Sequence, residues 1–392
     1  VKNLALILAI SFALTACGGS GSSKKVDSGE TGNAGGGSGG TTTPIKKTQD
    51  EAMTAVLTSL ADNYILPAYS DLVNKADDFE MASIDFCSNL TATETELKKL
   101  QSSWSTLSLS WQHSKPIKLG PVTESFFNYR LQIWPDTNAA ISRGVATLLA
   151  AEPLNEEVVA LTQDGAQGIP ALEYLLYPEL EVNGLLVADD KAKRCEAVMS
   201  IAANVKTITS TINDKWLQTS RDEYINGTGD FSCSDCAGTP EQAILEKQLT
   251  NWFELMEVIV DNKINKALDT ALPGKVDYAE QYRSETSFDN IKENIKALEL
   301  VYLGANDYGF DDYLVEINEN ETLDTTIKSA FFDVYTAIDG LSVSLEQAIT
   351  TQETRAQLIE IATKITALRT IMASDFVQVT GFNPGFNSND GD

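Results

Sequence analysis

Histidine occurs once in the 392 residues, as His113. A zinc peptidase built on H-E-x-x-H needs two imidazoles one helical turn apart, so that architecture is excluded. A Ser-His-Asp triad is excluded as well, unless His113 itself serves. That residue stands in "WQHSKPIKLGP", at the end of an expected helix, where a histidine usually caps the helix or faces solvent. Basic residues are also scarce. The 29 Lys and Arg against 56 Asp and Glu give a formal net charge of -27. Such a field repels nucleic acid and anionic head groups, and it suits cations or basic partners. Its simplest reading is a solvated, acidic surface. No P-loop, dinucleotide fingerprint or EF-hand loop is present, and the terminal "NSNDGD" lacks the glutamate and spacing of a calcium site.

What is present begins with the N-terminal "VKNLALILAISFALTAC", a lysine, a short apolar run and small residues before a cysteine. This reads as a secretory signal, too short for a spanning helix. Leu14-Thr15-Ala16-Cys17 resembles the bacterial lipobox, which implies lipidation at Cys17 and attachment to a membrane by acyl chains. Gly18 rather than aspartate follows the cysteine, which by analogy favours the outer membrane. Residues 18–47 are rich in Gly, Ser and Thr and carry too little apolar surface to fold, so they read as a tether of roughly 30 Å typical reach. In an exported chain the four remaining cysteines suggest disulfides. The pairing expected is Cys87–Cys195 and Cys233–Cys236. The single C-x-x-C reads as a stapled loop ahead of a redox pair, and a zinc site would want a second such pair.

Beyond residue 47 the hydrophobic pattern is helical almost throughout, which predicts an all-α fold of two helical bundles in series, 48–225 and 226–392. The stretch from Thr48 to Cys87 is one long amphipathic run with a kink expected at Pro67. Thr93 and Glu96 form a candidate capping box for the next helix. The segment "SKPIKLGPVTESFFNYRLQIWPDT" reads as a non-helical crossing strand or loop. Short helices are expected near 139–150 and 156–162, and longer ones near 189–221, 241–268, 287–303 and 322–348. Leu358, Ile361, Ile365, Leu368, Met372 and Phe376 make one apolar stripe, expected to be a core seam.

The chemically suggestive stretch is "QGIPALEYLLYPEL", Gln167 to Leu180. Pro170 suits the first turn of a helix, where its missing N–H costs nothing. Gly168 permits a close approach just before it. Glu173 follows one turn later among Tyr174, Leu175 and Leu176, so it must find a partner or stay protonated. Arg130 and Arg143 are the expected partners.

"GIPALEYLLYPE" resembles the G-x-H-x-x-E signature of the imelysin family, with Pro170 in the histidine position. "FCSNLTATETELKKLQSSWSTLSLSWQHSKPIKLGPV", "LQIWPDT", "RCEAVMSIAANVKTITSTINDKW", "YRSETSFDNIKENIKALELVYLG" and "GFNPGFNSNDGD" follow that family's order of cysteine, aromatic and Gly-Pro segments, over about 50–392. The resemblance implies a duplicated helical bundle, export to the bacterial envelope, an association with iron acquisition as in iron-regulated protein A, and a nominal metal-dependent peptidase. Gly168 and Glu173 map onto the signature, whereas Pro170 offers no ligand. The resulting expectation is a lipid-anchored, non-catalytic binding or accessory component of iron or haem uptake. Its cleft would be formed by Gly168, Pro170, Glu173, Arg130, Trp134 and Arg143. Iron or another metal is left open as a ligand, and an envelope protein as a partner. The competing readings are a metal-dependent peptidase and a structural envelope module.

Overall fold

Apolar residues returning every three or four positions wind this chain into helices, and no strand occurs among the described residues. The computed structural model describes residues 46–89, 91–136, 138–177 and 184–385. The lipobox at Cys17, the tether as far as residue 45 and the terminal "NSNDGD" lie outside the described residues.

Helix α1, Gln49–Ser59, opens on a capping box in which Thr48 N donates to Glu51 Oε2 at 2.8 Å and Glu51 N donates back to Thr48 Oγ1 at 3.3 Å. The chain stays helical through a π-turn at Leu60–Ile65 and enters α2, Leu66–Ser88. The irregularity expected at Pro67 takes this form. Proline cannot donate to the carbonyl one turn back, and the wider winding just before it absorbs the mismatch. Helix α3, Glu94–Ser114, starts at the expected box, with Thr93 N donating to Glu96 Oε2 at 2.6 Å. The main helices that follow are α4, Ala140–Leu149; α5, Ile169–Leu176; and α6, Lys191–Lys215. Then come α7, Pro240–Glu257; α8, Ser287–Tyr302; α9, Glu321–Asp339; and α10, Gln352–Ile371.

Two expectations are corrected. The segment after α3 is not a strand: it holds a 3-10 turn, Gly120–Phe126, and a short helix, Phe127–Leu131. Pro121 starts the turn, and Ser125 and Phe126 redirect the chain with φ of 47° and 57°. The helix expected over 322–348 is two, because α9 ends at Asp339 and Ser344 caps a new short helix, Leu345–Ala348, by accepting from Gln347 N.

Residues Lys46–Asp392 form one compact unit. Helix α3 packs on α8 and α1 on α7, so helices from either side of residue 226 share a seam. The stripe Leu358, Ile361, Ile365, Leu368, Met372 and Phe376 is buried along its whole length, with α10 lying on α9 and α7.

Cys87 at the end of α2 and Cys195 in α6 form a disulfide that closes 108 residues, with Cα atoms 5.5 Å apart. The bridge expected between Cys233 and Cys236 is absent. Both are free thiols, and Cys236 Sγ lies 3.5 Å from the carbonyl oxygen of Cys233 and 3.6 Å from that of Gly238. Replacing Cys87 and Cys195 together by serine is expected to cost about 2–4 kcal/mol through the freed unfolded chain. Urea unfolding with and without reductant measures this, and Cys233→Ser should leave the midpoint unmoved.

Candidate functional site

The start of α5 is fixed by what surrounds it. Gly168 is its N-cap in an extended conformation, and a Cβ there would lie 2.2 Å from Leu131 O and 2.3 Å from Arg130 O. Only a residue without a side chain fits against that backbone. Pro170 sits in the first turn, where the N–H has no intrahelical acceptor to lose. Trp104 Nε1 donates to Ile169 O at 3.1 Å from α3, which pins the helix start to the core. Leu172, Leu175 and Leu176 anchor the inner face, and Glu173 comes out buried beside them at 2% exposure.

Neither expected arginine holds this carboxylate. Arg130 Nε donates to Gln167 Oε1 at 2.7 Å and its Nη2 to Asn204 Oδ1 at 3.3 Å, so it braces the turn before α5. Arg143 is exposed on α4, because its position on that helix faces away from the side that buries Ile141, Val145 and Leu148. The partner of Glu173 is Ser284, from the other half of the chain. Ser284 N and Oγ donate to Glu173 Oε1 at 2.9 and 2.8 Å. Burial pushes the Glu173 carboxyl up to about 7; the Ser284 bonds and the Arg283 charge oppose the rise, and the charge of Glu346 adds to it. The Arg283 guanidinium lies over two aromatic rings, 5.0 Å from the Tyr174 centroid and 4.5 Å from that of Tyr282.

Pro170 and Glu173 open into a cleft of about 410 Å³ whose other walls include Trp134, Asp136 and the run from Asp277 to Arg283. The structure therefore brings three of the predicted residues together here, Trp134, Pro170 and Glu173. Gly168 supports them from below, Arg130 from behind, and Arg143 takes no part in the lining. The missed wall, 277–284, carries its signal in "DYAEQYRS", where charged and aromatic residues crowd a short interval before a helix. Gln281 in this run and Glu285 just after it hold left-handed backbone, φ 57° and 56°, a conformation kept only when surrounding contacts enforce it.

Under the cleft floor lies a buried ion pair. Lys263 Nζ donates to Glu280 Oε2 at 2.7 Å, Asn294 Oδ1 at 2.6 Å and Gln112 Oε1 at 3.0 Å, so each ammonium proton has an acceptor. Gln132 Nε2 donates to Glu280 Oε1 at 2.9 Å. Burial alone would raise the Glu280 carboxyl, but the ammonium groups of Lys263 and Lys115 hold it below the usual range. Lys263 is pushed down by burial, yet its three acceptors favour the charged form.

This donor set does not fit a transition metal. Pro170 supplies no nitrogen, Glu280 is committed to Lys263, and Asp136 caps α4 by accepting from Ala140 N at 2.6 Å. No group of three or more His, Cys, Asp or Glu placed to hold an ion occurs among the described residues. The single histidine is elsewhere: His113 Nδ1 lies 2.7 Å from Glu293 Oε1, and its carbonyl accepts from Tyr64 Oη at 2.6 Å.

The all-helical fold that carries this cleft is shared with solved imelysin-like structures. An imelysin-like protein from Psychrobacter arcticum 273-4 superposes with a TM-score of 0.71 at 23% identity, over 87% of this chain and 99% of that one. A candidate iron-regulated protein A precursor from Parabacteroides distasonis ATCC 8503 gives 0.64 at 16% identity, over 84% and 96%. The imelysin family model matches residues 65–372, and the chain belongs to that family. Among curated proteins no sequence matches.

Proposed function

We propose that this chain is a non-catalytic member of the imelysin family, anchored by lipid at Cys17 to the bacterial outer membrane, that serves iron or haem acquisition as a binding or accessory component. The observation that carries the reading is the occupant of the signature position: Pro170, a residue with no ligating atom, beside a buried Glu173 already hydrogen-bonded to Ser284. A lone, raised carboxyl without imidazole partners lacks the ligand set that polarises water for peptide hydrolysis. The iron connection is supported by the kinship with a candidate iron-regulated protein A precursor, and the anchor by the Leu14–Cys17 motif.

The test is turnover of a broad peptide library by the purified protein with zinc or iron added, for wild type and Glu173→Gln. No turnover in either is expected; activity that Glu173→Gln abolishes overturns the reading in favour of a peptidase. The same variant tests the carboxyl environment. A glutamate whose folded value lies near 7, above its unfolded value, binds a proton in the native state across the interval between them. Stability from this group is therefore full at low pH and falls as pH rises through about 7. The interval corresponds to about 3 kcal/mol at most. Relative to wild type, Glu173→Gln should gain in melting temperature between pH 5 and pH 8. A pH-independent difference would show that the carboxyl titrates normally.

A further inference from the structure

A second cavity, of about 270 Å³, shares Gln132, Trp134, Pro135 and Glu280 as a common wall with the Glu173 cleft. Five charged residues line it: Lys115, Lys118, Lys263, Glu254 and Glu280. Four of them are matched, Lys118 with Glu254 and Lys263 with Glu280. Lys115 is left over. Its ammonium has no hydrogen-bond acceptor among the described residues and rests 4.7 Å from the centroid of the Trp111 ring. In a chain of net charge -27, a cavity lysine that bonds to no carboxylate and feels Glu280 only as a nearby charge is conspicuous.

A second, independent observation lies across the same cavity. Asn251, 3% exposed, has a buried side-chain nitrogen with no acceptor. A buried donor left unmade costs free energy that a ligand oxygen would restore. The remaining walls include Trp111, Trp134, Tyr129 and Leu255, flat or apolar surfaces suited to a ring. The volume is at the small end of ligand sites.

We propose that this cavity binds a small organic carboxylate, with the anion held by the Lys115 ammonium and the Asn251 amide and the apolar body against Trp111 and Trp134. The inference does not rest on the reading of the Glu173 cleft. It makes binding pH-dependent. Burial pushes the Lys115 ammonium down to about 7; Glu280 opposes the shift, and Lys263 and Lys118 add to it. The groups facing it are thus Glu280 and Lys263 from the second half, Lys118 from its own segment, and Glu254, paired with Lys118, from α7. The carboxylate is held by the charged form, so affinity is lost as pH rises through about 7, by about tenfold between pH 6 and pH 8.

The experiment titrates the purified protein with benzoate, and with benzamide as its uncharged counterpart, following tryptophan fluorescence and heat. Saturable benzoate binding is expected, at least tenfold tighter than benzamide and weaker at pH 8 than at pH 6. Lys115→Met should weaken benzoate at least tenfold with an unchanged circular dichroism spectrum, and Glu173→Gln should leave it unaltered. Should Lys115→Met fail to fold, Asn251→Leu carries the same test, with an expected loss of severalfold. Absence of saturable benzoate binding, equal affinity for benzamide, or full affinity in the folded variant overturns the assignment.

Discussion

Lys263→Met is expected to lower stability by about 3–5 kcal/mol, because it leaves the Glu280 carboxylate buried without its counter-charge. The residue is 3% exposed and Glu280 2%, so both charges are largely withdrawn from solvent. The sign of the pH dependence follows from the depressed Glu280 carboxyl. In wild type its contribution is present above the unfolded value and lost as pH falls through the lower folded one. In the variant the carboxyl loses the ammonium bonded to it and keeps only the nearby charge of Lys115, and the deficit should shrink as acid protonates it. Removing both charges, Lys263→Met with Glu280→Gln, should recover at least half of the loss, since a neutral buried pair avoids the stranded charge. Urea midpoints at pH 5 and pH 8 for the three proteins decide this. A single variant as stable as wild type would mean that the pair is not the keystone of the seam.

Gly168→Val is expected to cost about 4 kcal/mol, at the upper end of overpacking effects. The backbone angles are not the reason, since φ -130° and ψ -160° suit any residue. The obstacle is the pair of carbonyl oxygens on Arg130 and Leu131, both main-chain atoms, at 2.3 and 2.2 Å from an added Cβ. Neither can rotate away as a side chain would. The strand of chain that must retreat leads within a few residues to Trp134, so the cleft should loosen together with the fold. Gly385→Ala is the control, because an added Cβ there meets nothing within 4 Å. Thermal unfolding should separate the two by many degrees, and equal melting temperatures would refute the close approach.

The helices were legible because their information is local. Period, capping residues and prolines act within one or two turns, and the stripe from Leu358 to Phe376 is buried as its spacing dictates. The first-half part of the site was legible for the same reason: Gly168, Pro170 and Glu173 lie on one turn. Its other wall was not. Ser284 reaches Glu173 across 111 positions, and nothing in the spacing of either residue encodes that meeting. The arginines were a reasonable electrostatic expectation that side-chain direction overruled. Arg130 turns to Gln167, and Arg143 occupies the solvent face of α4. The short interruption at Gly340 was missed because one glycine in an apolar period is usually tolerated.

The buried pair has a kinetic implication. Gln112 and Gln132 come from the first half of the chain, Lys263, Glu280 and Asn294 from the second, and all five share one set of bonds. Parting the halves like a clamshell would expose an ion and its mate together and abandon at once three amide contacts that cross between them. Motions that leave these bonds in place are therefore favoured over any that hinge one half away from the other.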